Sequence, residues 1–227
     1  MKLLFFIPAR GGSKGIVNKN LQLIGEKSLT EITIDFLCQA GFQEFTVLSS
    51  DSDKILQTCR AEGILCDKRP KAFSADETTT AATIKEFIES GRGNYNLDKD
   101  DWVIIAEPTS PFRRLETLDV LLDVIESNKF DSICTVYKSS AVEWIHEKDI
   151  WNRKDNVDGS QSRRQTRRSK YHECGVFYAT KVKNITSESI LGEKCHCIVV
   201  DSTEALDINS PLDLEVCRTV FNQLNEA

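Results

Sequence analysis

Short apolar runs alternate with segments of helical periodicity along most of this 227-residue chain. Residues 102–106 have the unbroken apolar character of a strand buried on both faces, and residues 115–127 carry apolar side chains at helical spacing. Strands that are joined through helices run parallel in one sheet, with helices on both faces. The pattern therefore predicts an α/β fold with a doubly wound, mostly parallel sheet, in a single domain over residues 1–227.

The alternation stops between residues 139 and 173, a stretch that we call the excursion. It is polar and charged, it contains Trp144 and Trp151, and it is longer than an ordinary connection. We expect it to serve function or assembly. The remaining predicted elements are strands over 3–7, 45–48, 64–66, 132–137, 176–178 and 197–200, and helices from the capping box Ser28-Leu29-Thr30-Glu31 to before Gly41, over 54–62 and 79–89, and from Pro211 onward.

The loop after the first predicted strand combines glycine with positive charge. Its sequence is Ile7-Pro8-Ala9-Arg10-Gly11-Gly12-Ser13-Lys14-Gly15, followed closely by Lys19-Asn20. Glycine lets backbone N–H groups approach an anion, and the cations add full charge, so the loop predicts a polyphosphate ligand. The Walker and dinucleotide fingerprints are both missing, and an ordinary basic turn is the alternative.

Polar clusters follow three of the predicted strands. They cover residues 10–14, 49–53 and 107–113. In doubly wound sheets, ligands bind beyond the carboxyl ends of the strands. Their shared position favours the phosphate interpretation over the plain turn.

Composition limits the partners that we expect. The formal net charge of −6 does not indicate a nucleic-acid-binding surface. Residues 2–6 are too short an apolar run for a signal peptide, and no membrane span is predicted. We expect a cytoplasmic protein with reduced thiols. The stretch Cys195-His196-Cys197 fits a strand with both thiols on one face, and a zinc site is disfavoured because no second Cys/His pair occurs at zinc spacing.

Taken in order, several motifs resemble those of the acylneuraminate cytidylyltransferases, the CMP-sialic acid synthetase family. They span nearly the whole chain and are the first loop with Lys19-Asn20, Ser49-Ser50-Asp51, Arg69-Pro70, Pro108-Thr109-Ser110-Pro111-Phe112-Arg113, Arg164-Gln165, and Leu206-Asp207-Ile208-Asn209 with Asp213. The resemblance implies a nucleotide-diphospho-sugar transferase-like fold that moves CMP from CTP to a nine-carbon α-keto acid sugar, with Mg²⁺ as cofactor. It also implies a homodimer in which the excursion reaches the partner.

The resemblance assigns the nucleotide to the first half of the chain. Arg10, Lys19 and Asn20 match catalytic positions. The nucleotide-binding positions are Arg10, Gly11, Gly12, Ser13, Lys14, Lys19, Asn20, Arg69 and Thr80. Arg69 and Thr80 would contact the cytosine. Helix capping is the alternative for Thr80, and a plain turn is the alternative for Lys19 and Asn20.

The sugar positions that the resemblance implies are Glu107, Thr109, Ser110, Arg164 and Gln165. A bidentate arginine suits the planar carboxylate of the sugar. The alternatives for this arginine are Arg163, Arg167 and Arg168, or the whole run is a solvated basic surface. Glu107 replaces a glutamine of the family and Cys174 an asparagine, so the identity of the sugar stays open. We interpret Cys174 as a packing residue.

Asp207 matches the first of two metal-binding aspartates of the family, and Asn209 replaces the second. An amide oxygen can bind Mg²⁺ but brings no charge. Glu107 either supplies the charge that Asn209 lacks or contacts a different sugar substituent, and both interpretations stay open.

Two other functions compete with CMP transfer to sialic acid. One is nucleotidyl transfer with another base or with legionaminic, pseudaminic or 3-deoxy-octulosonic acid. The other is a non-catalytic nucleotide-binding module, which the loss of one aspartate permits. The joint presence of Arg10, Lys19, Arg164 and Asp207 favours an enzyme.

Overall fold

A computed structural model describes residues 1–59, 63–154 and 170–226 of the chain. The strands are β1 (Leu3–Pro8), β2 (Leu23–Ile24), β3 (Lys27–Ser28), β4 (Thr46–Ser50), β5 (Leu65–Lys68), β6 (Trp102–Ile105), β7 (Ser132–Ser139), β8 (Trp144–Glu147), β9 (Ile150–Arg153), β10 (Lys170–Lys181) and β11 (Cys195–Val200). The α-helices are α1 (Leu29–Gln39), α2 (Asp53–Cys59), α3 (Thr80–Glu89), α4 (Leu115–Glu126) and α5 (Pro211–Glu226).

Seven strands form one sheet in the order β11-β7-β10-β6-β1-β4-β5. The pairs β11–β7, β6–β1, β1–β4 and β4–β5 are parallel, and β10 is antiparallel to both of its neighbours. The predicted α/β fold with a mostly parallel sheet is confirmed, with β6 at its centre. Two short hairpins, β2–β3 and β8–β9, lie outside this sheet.

Strand β1 shows why the sheet has helices on both faces. Phe5 and Ile7 are fully buried in a core that also contains side chains of α1, α2 and α4. Leu4 and Phe6 are equally buried on the opposite face, where α3 packs. Because successive side chains of a strand point to opposite faces, an unbroken apolar run requires cover on both sides.

Local capping signals set the helix boundaries. Ser28 accepts a hydrogen bond from the Glu31 amide at 3.3 Å, and the Glu31 carboxylate accepts one from the Ser28 amide at 2.8 Å. This reciprocal box begins α1 at the predicted position. At α5, the Asp213 carboxylate accepts from the amides of Asn209 and Ser210, at 3.0 and 2.7 Å.

The last antiparallel strand is longer than the sequence pattern indicated. We predicted a strand over residues 176–178, whereas β10 has 12 residues and pairs Lys170 with Ser139 at its far end. Its first four residues alternate half-buried and exposed side chains, which gives a weaker signal than a continuous apolar run. The excursion is correspondingly shorter than 139–173, and its residues 155–169 lie outside the described ranges.

The expectation of reduced thiols is wrong for Cys59 and Cys66, which form a disulfide. The end of α2 and the start of β5 bring their Cα atoms to 6.2 Å, within the range that a disulfide spans. In the described residues, none of the helices has the combined length and apolar character of a membrane span.

A third apolar cluster supports the loops at the carboxyl edge of the sheet. It joins Ile16 of the first loop to Ile208 and to Leu214 of α5. At its edge, a Cβ on Gly15 would lie 2.9 Å from the Asn209 carbonyl oxygen. The chain approaches itself so closely here that only glycine fits, and the first loop is thereby held against residues 206–209.

Candidate functional site

A cavity of about 230 Å³ opens beyond the carboxyl ends of β1 and β6. The predicted residues that line it are Arg10, Gly12, Ser13, Lys19, Asn20, Arg69, Thr80, Glu107, Thr109, Asp207 and Asn209. In the described lining, Gly11, Lys14 and Ser110 are missing. Arg164 and Gln165 lie outside the described residues. Positions from both ends of the chain thus meet at one place.

Asp76 is a lining residue that the sequence analysis missed. Its carboxylate pairs with Arg10 Nη1 at 2.6 Å and with Lys14 Nζ at 2.8 Å. Hydrogen bonds from Lys14 and then Arg10 lower the pKa of Asp76. The side chain of Lys14 is 81% exposed, so it stands at the mouth of the cavity. The Asp76 carboxylate therefore holds the side chains of Arg10 and Lys14 in place.

Lys19 and Asn20 belong to a short 3₁₀ turn, and they also line the cavity. Lys19 Nζ donates to the Ile208 carbonyl at 3.0 Å, and burial lowers the pKa of Lys19 against the attraction of Asp207 and Glu107. The Asn20 amide donates to the Arg10 carbonyl at 2.9 Å. Asn20 thus fixes the shape of the first loop, and Lys19 ties that loop to residues 206–209.

The glycines of the first loop differ in their surroundings. The Gly11 amide donates to Asp51 Oδ1 at 2.7 Å, so this N–H is already used by a carboxylate. A Cβ on Gly12 would meet nothing within 4 Å, and Gly12 and Ser13 both line the cavity. An anion in the cavity would therefore meet the open backbone at Gly12 and Ser13.

Arg69 projects from the end of β5 into the same cavity. Its Nη2 donates to the Ser49 carbonyl at 2.8 Å and its Nε to the Ser49 hydroxyl at 3.3 Å. Burial lowers the pKa of Arg69 to about 10, so the guanidinium stays charged at neutral pH. Thr79 caps α3 by accepting from the Ala82 amide at 2.9 Å, which leaves its neighbour Thr80 to line the cavity.

Arg113 is an internal clamp for the loop that follows β6. The buried guanidinium donates to the carbonyls of Val176 at 2.8 Å and Ser110 at 2.6 Å. It also donates to the carbonyls of Glu107 and Gly175. Two of these bonds satisfy carbonyls at the bulge of β10 between Cys174 and Tyr178. The bond to the Glu107 carbonyl positions Glu107 at the cavity.

Ser110 and Cys174 lie behind the cavity wall. Ser110 is fully buried, and a Cβ on Gly175 would come within 3.0 Å of its hydroxyl oxygen. Cys174 belongs to the main core, and burial raises the pKa of its thiol. A protonated, buried thiol fits the packing interpretation of Cys174.

Asp207, Asn209 and Glu107 form the acidic side of the cavity. The side-chain Nδ2 of Asn209 donates to Asp207 Oδ2 at 2.7 Å. The other carboxylate oxygen, Asp207 Oδ1, is buried and meets no hydrogen-bond donor among the described residues. Burial raises the pKa of Glu107, and the charge of Asp207 raises it further. A carboxylate oxygen without a partner beside a second carboxyl group is a suitable place for a divalent cation.

A second cavity of about 290 Å³ adjoins the first one and shares Thr80 and Glu107 with it. Its further polar lining includes Glu173, Tyr178 and Glu188. Burial raises the pKa of Tyr178, so its phenol is neutral at physiological pH. Within the described ranges, the first cavity is lined by both cations and acids, whereas the charged residues that line the second are all acidic.

The residues that sequence reasoning missed are Asp76, Glu173 and Tyr178. Asp76 lies in a polar stretch without periodicity, and Glu173 and Tyr178 lie on the part of β10 whose pairing could not be foreseen. An isolated carboxylate in a loop carries no signal of its own. The acidic replacement at Glu107 was the one hint that carboxylates gather at this edge.

Comparison with known sequences identifies a family. The family whose sequence model matches this chain is described as cytidylyltransferase, and the match covers residues 4–206. The N-acylneuraminate cytidylyltransferase of Escherichia coli is 26% identical over 240 residues, which cover 99% of this chain and 53% of that protein. The chain therefore spans about half the length of that relative.

Other relatives match from end to end. The CMP-N,N'-diacetyllegionaminic acid synthase of Legionella pneumophila is 27% identical and the pseudaminic acid cytidylyltransferase of Campylobacter jejuni 25%, each covering 100% of this chain and 99% of the relative. Among solved structures, a CMP:2-keto-3-deoxy-manno-octonic acid synthetase complexed with CTP superposes with a TM-score of 0.70 at 16% identity, over 99% of this chain and 100% of that one. The structural likeness concerns the fold.

Proposed function

We propose that this chain, which belongs to the cytidylyltransferase family, transfers CMP from CTP to a nine-carbon α-keto acid sugar, sialic acid or a relative of it. The observation that carries the proposal is the first cavity, where Arg10, Lys19 and Arg69 face Asp207 across one opening. Arg10 and Lys19, together with the open backbone of the first loop, suit a triphosphate. The relatives named for sialic, legionaminic and pseudaminic acids support an acidic sugar as acceptor.

The reaction needs charge neutralisation more than a covalent nucleophile. A hydroxyl oxygen of the sugar forms a bond to the α-phosphorus of CTP, the bond from that phosphorus to pyrophosphate breaks, and the hydroxyl proton passes to solvent. Arg10 and Lys19 would hold the phosphates in line and offset the charge that develops on the leaving group. The hydrogen bond from Asn20 to the Arg10 carbonyl keeps the loop in position for this role.

Arg69 and Thr80 are proposed to bind the cytosine. Ser49 engages Arg69 through Nε and Nη2, so the guanidinium is fixed in direction. Its Nη1 hydrogens remain for a carbonyl oxygen of the base. Lys14 and Gly11 would act at a distance, Lys14 through charge at the mouth and Gly11 by holding the loop to Asp51.

The second cavity is proposed to hold the sugar. Glu107 lies between the two cavities, and Thr109 lines the first one beside it. Ser110 is buried and lies close to Gly175, so it would act by packing against this part of β10. The cation for the sugar carboxylate is proposed to come from Arg164, with Gln165 beside it.

Mg²⁺ is proposed as the cofactor, and the residues present fit it. Asp207 Oδ1 meets no donor among the described residues, and the nearby Glu107 adds a second carboxyl group. A bound Mg²⁺ would add positive charge at the phosphates. Because Asn209 directs its amide nitrogen to Asp207, we propose that Asn209 orients this carboxylate and that Glu107 supplies the missing charge.

A metal titration separates the two interpretations of Glu107. We expect Glu107→Gln to require a higher Mg²⁺ concentration for half-maximal turnover, with little change in sugar preference. An unchanged Mg²⁺ requirement together with an altered sugar preference would reject this role for Glu107. Glu188→Gln is the matched control for the Mg²⁺ requirement, because Glu188 lines the second cavity and is not among the described residues that line the first.

The raised pKa of Glu107 also leads to a prediction about the pH dependence of stability. Its pKa in the folded protein lies above the ordinary value of 4.5, so its contribution to stability is fully present below that pH and is lost as pH rises through the folded pKa. Above its folded pKa, Glu107 places a buried charge in the fold, and Glu107→Gln removes that charge. We expect the variant to have a higher unfolding midpoint than the parent at pH 8 and a smaller gain at pH 5, by thermal unfolding. An equal gain at both pH values would contradict this.

Asp76 competes with phosphate for Arg10 and Lys14. We expect Asp76→Asn to lower the KM for CTP by roughly threefold, as exposed ion pairs are weak. Steady-state kinetics at constant ionic strength measures this effect. A rise in KM would instead show that Asp76 positions Arg10 for binding.

A panel assay tests the proposed activity. The purified chain is incubated with Mg²⁺, CTP or GTP, and sialic, legionaminic, pseudaminic or 3-deoxy-octulosonic acid, and pyrophosphate release is measured. CTP-dependent turnover with a nine-carbon sugar supports the proposal. Turnover only with GTP or with the octulosonic acid would favour the alternative transferases, and nucleotide binding without turnover would favour a non-catalytic module.

A homodimer is proposed because the β8–β9 hairpin exposes large apolar side chains. Trp144, Ile150 and Trp151 are 54%, 61% and 63% exposed. A lone two-stranded hairpin is marginal in water, and exposed tryptophans suit an interface. We expect the double variant Trp144→Ser/Trp151→Ser to weaken dimerisation by roughly 30-fold in sedimentation velocity. Leu224→Ser on α5 is the exposed control, and a monomeric parent would contradict the proposal.

A cytoplasmic location stays a prediction.

A further inference from the structure

Three cysteine sulfurs meet on one face of the sheet at a place that the proposed reaction does not use. Cys134 lies on β7, and Cys195 and Cys197 lie on β11. Cys134 Sγ is 3.5 Å from Cys197 Sγ and 3.9 Å from Cys195 Sγ, and all three lie within 4.8 Å of one another. We call these residues the thiol cluster.

The register of two parallel strands creates the thiol cluster. Cys197 pairs with Cys134, and Cys195 pairs with Ser132. Residues two apart on a strand share a face, so Cys195 and Cys197 both point to the side of Cys134. His196 points the other way and stacks on Phe130. The sequence showed the Cys195/Cys197 pair, but the third sulfur comes from 61 residues away.

The sulfur separations match those around a metal ion. A zinc–sulfur bond of about 2.3 Å in tetrahedral geometry places two sulfurs about 3.8 Å apart. The two measured separations, 3.5 and 3.9 Å, lie on either side of this value. They are far longer than a disulfide bond of about 2 Å. The arrangement therefore suits three sulfurs around one shared ion.

The thiol cluster is also accessible. Cys195 and Cys197 are exposed, and Cys134 is buried beneath them. An ion can enter from solvent, and a water molecule can complete its coordination. Because sulfur ligands select soft ions, Mg²⁺ does not compete for this place. We propose that the thiol cluster binds one thiophilic d¹⁰ metal ion of the zinc class through Cys134, Cys195 and Cys197.

An ion in the thiol cluster would link two strands at the edge of the sheet. β11 is an edge strand of the sheet, and the ion would join it to β7. Cys134 pairs across β7 and β10 with Tyr178, which lines the second cavity. A metal link here would hold the strands beside that cavity. The inference does not depend on the proposed reaction, since its test needs neither CTP nor a sugar.

Cadmium is the spectroscopic probe, because thiolate-to-cadmium charge transfer absorbs in the ultraviolet at longer wavelengths than the corresponding zinc transition. The full chain is titrated with Cd²⁺, and we expect the absorption to saturate at one equivalent and to be reversed by Zn²⁺. Cys195→Ser and Cys197→Ser, both at exposed positions that tolerate replacement, should each weaken binding by more than about tenfold. Cys38→Ser on α1 is the matched control and should bind as the parent does.

Three results would overturn the proposal: no charge-transfer absorption in the parent, unchanged binding in both the Cys195 and Cys197 variants, or loss of binding in the Cys38 variant. A second readout uses alkylation followed by mass spectrometry. One equivalent of Zn²⁺ should slow the modification of Cys195 and Cys197 at least about tenfold and leave that of Cys38 unchanged. Equal modification with and without Zn²⁺ would equally refute the site.

Discussion

Replacing Arg10 with glutamine, or Lys19 with methionine, is expected to lower kcat/KM for CTP by about 10²- to 10³-fold. Both side chains line the first cavity, and removal of one preorganised donor to developing charge costs about this much in enzymes. Lys19 has a second task, because its ammonium also holds the Ile208 carbonyl next to Asp207. Its loss should therefore also raise the Mg²⁺ concentration needed for turnover.

A matched cation outside the cavity is the control for this prediction. Lys68 is 53% exposed and pairs with Asp53 at 2.6 Å, at the same edge of the sheet. Lys68→Gln should change kcat/KM for CTP by less than about twofold. Steady-state kinetics measures the effect, and thermal unfolding shows that each variant is folded. Full activity in both the Arg10 and Lys19 variants would require the proposed function to be abandoned.

Arg113→Met is expected to destabilise the fold by at least about 4 kcal/mol, the largest stability effect that we predict. The substitution leaves the carbonyls of Glu107, Ser110, Gly175 and Val176 without their donor, and each unpaired buried group costs about 1–3 kcal/mol. It also removes a charge that lowers the pKa of Glu107. We expect the unfolding midpoint to fall by roughly 10 °C.

The neighbouring Arg114 is the control for this prediction. Arg114 is 50% exposed and pairs with Asp201 at 2.5 Å. Arg114→Met should cost less than about 1 kcal/mol, because exposed ion pairs are weak. Arg113→Lys should recover only part of the lost stability, since one ammonium cannot serve four carbonyls as a guanidinium fork does. Equal effects at positions 113 and 114, measured by chemical denaturation, would refute the clamp.

Elements with strong local signals could be predicted from sequence. The Ser28/Glu31 box starts α1, Pro211 starts α5, and the apolar run of β6 lies at the centre of the sheet. Each of these signals depends on residues within one turn or one strand, so no long-range information is needed. The position of the candidate site followed from the same logic, because loops at the carboxyl ends of parallel strands converge.

Other features depend on contacts that no local pattern carries. The 12-residue β10, with its bulge at residues 174–178, depends on pairing with β7 and on Arg113. The ion pair of Asp76 with Arg10 joins residues 66 positions apart. The disulfide of Cys59 with Cys66 depends on how α2 packs against β5. In each case the partner is chosen by the spatial arrangement of elements.

The amino-acid pattern was sufficient for the α/β class, the order of most elements and the basic loop beyond β1, because these follow from hydrophobic periodicity and from glycine and charge in short segments. The fold was needed to unite Asp207 with Glu107, to reveal Arg113 as an internal clamp, and to bring Cys134 to Cys195 and Cys197. The physical reason is strand register: a shift of one residue between β7 and β11 would turn the facing side chains to opposite sides of the sheet.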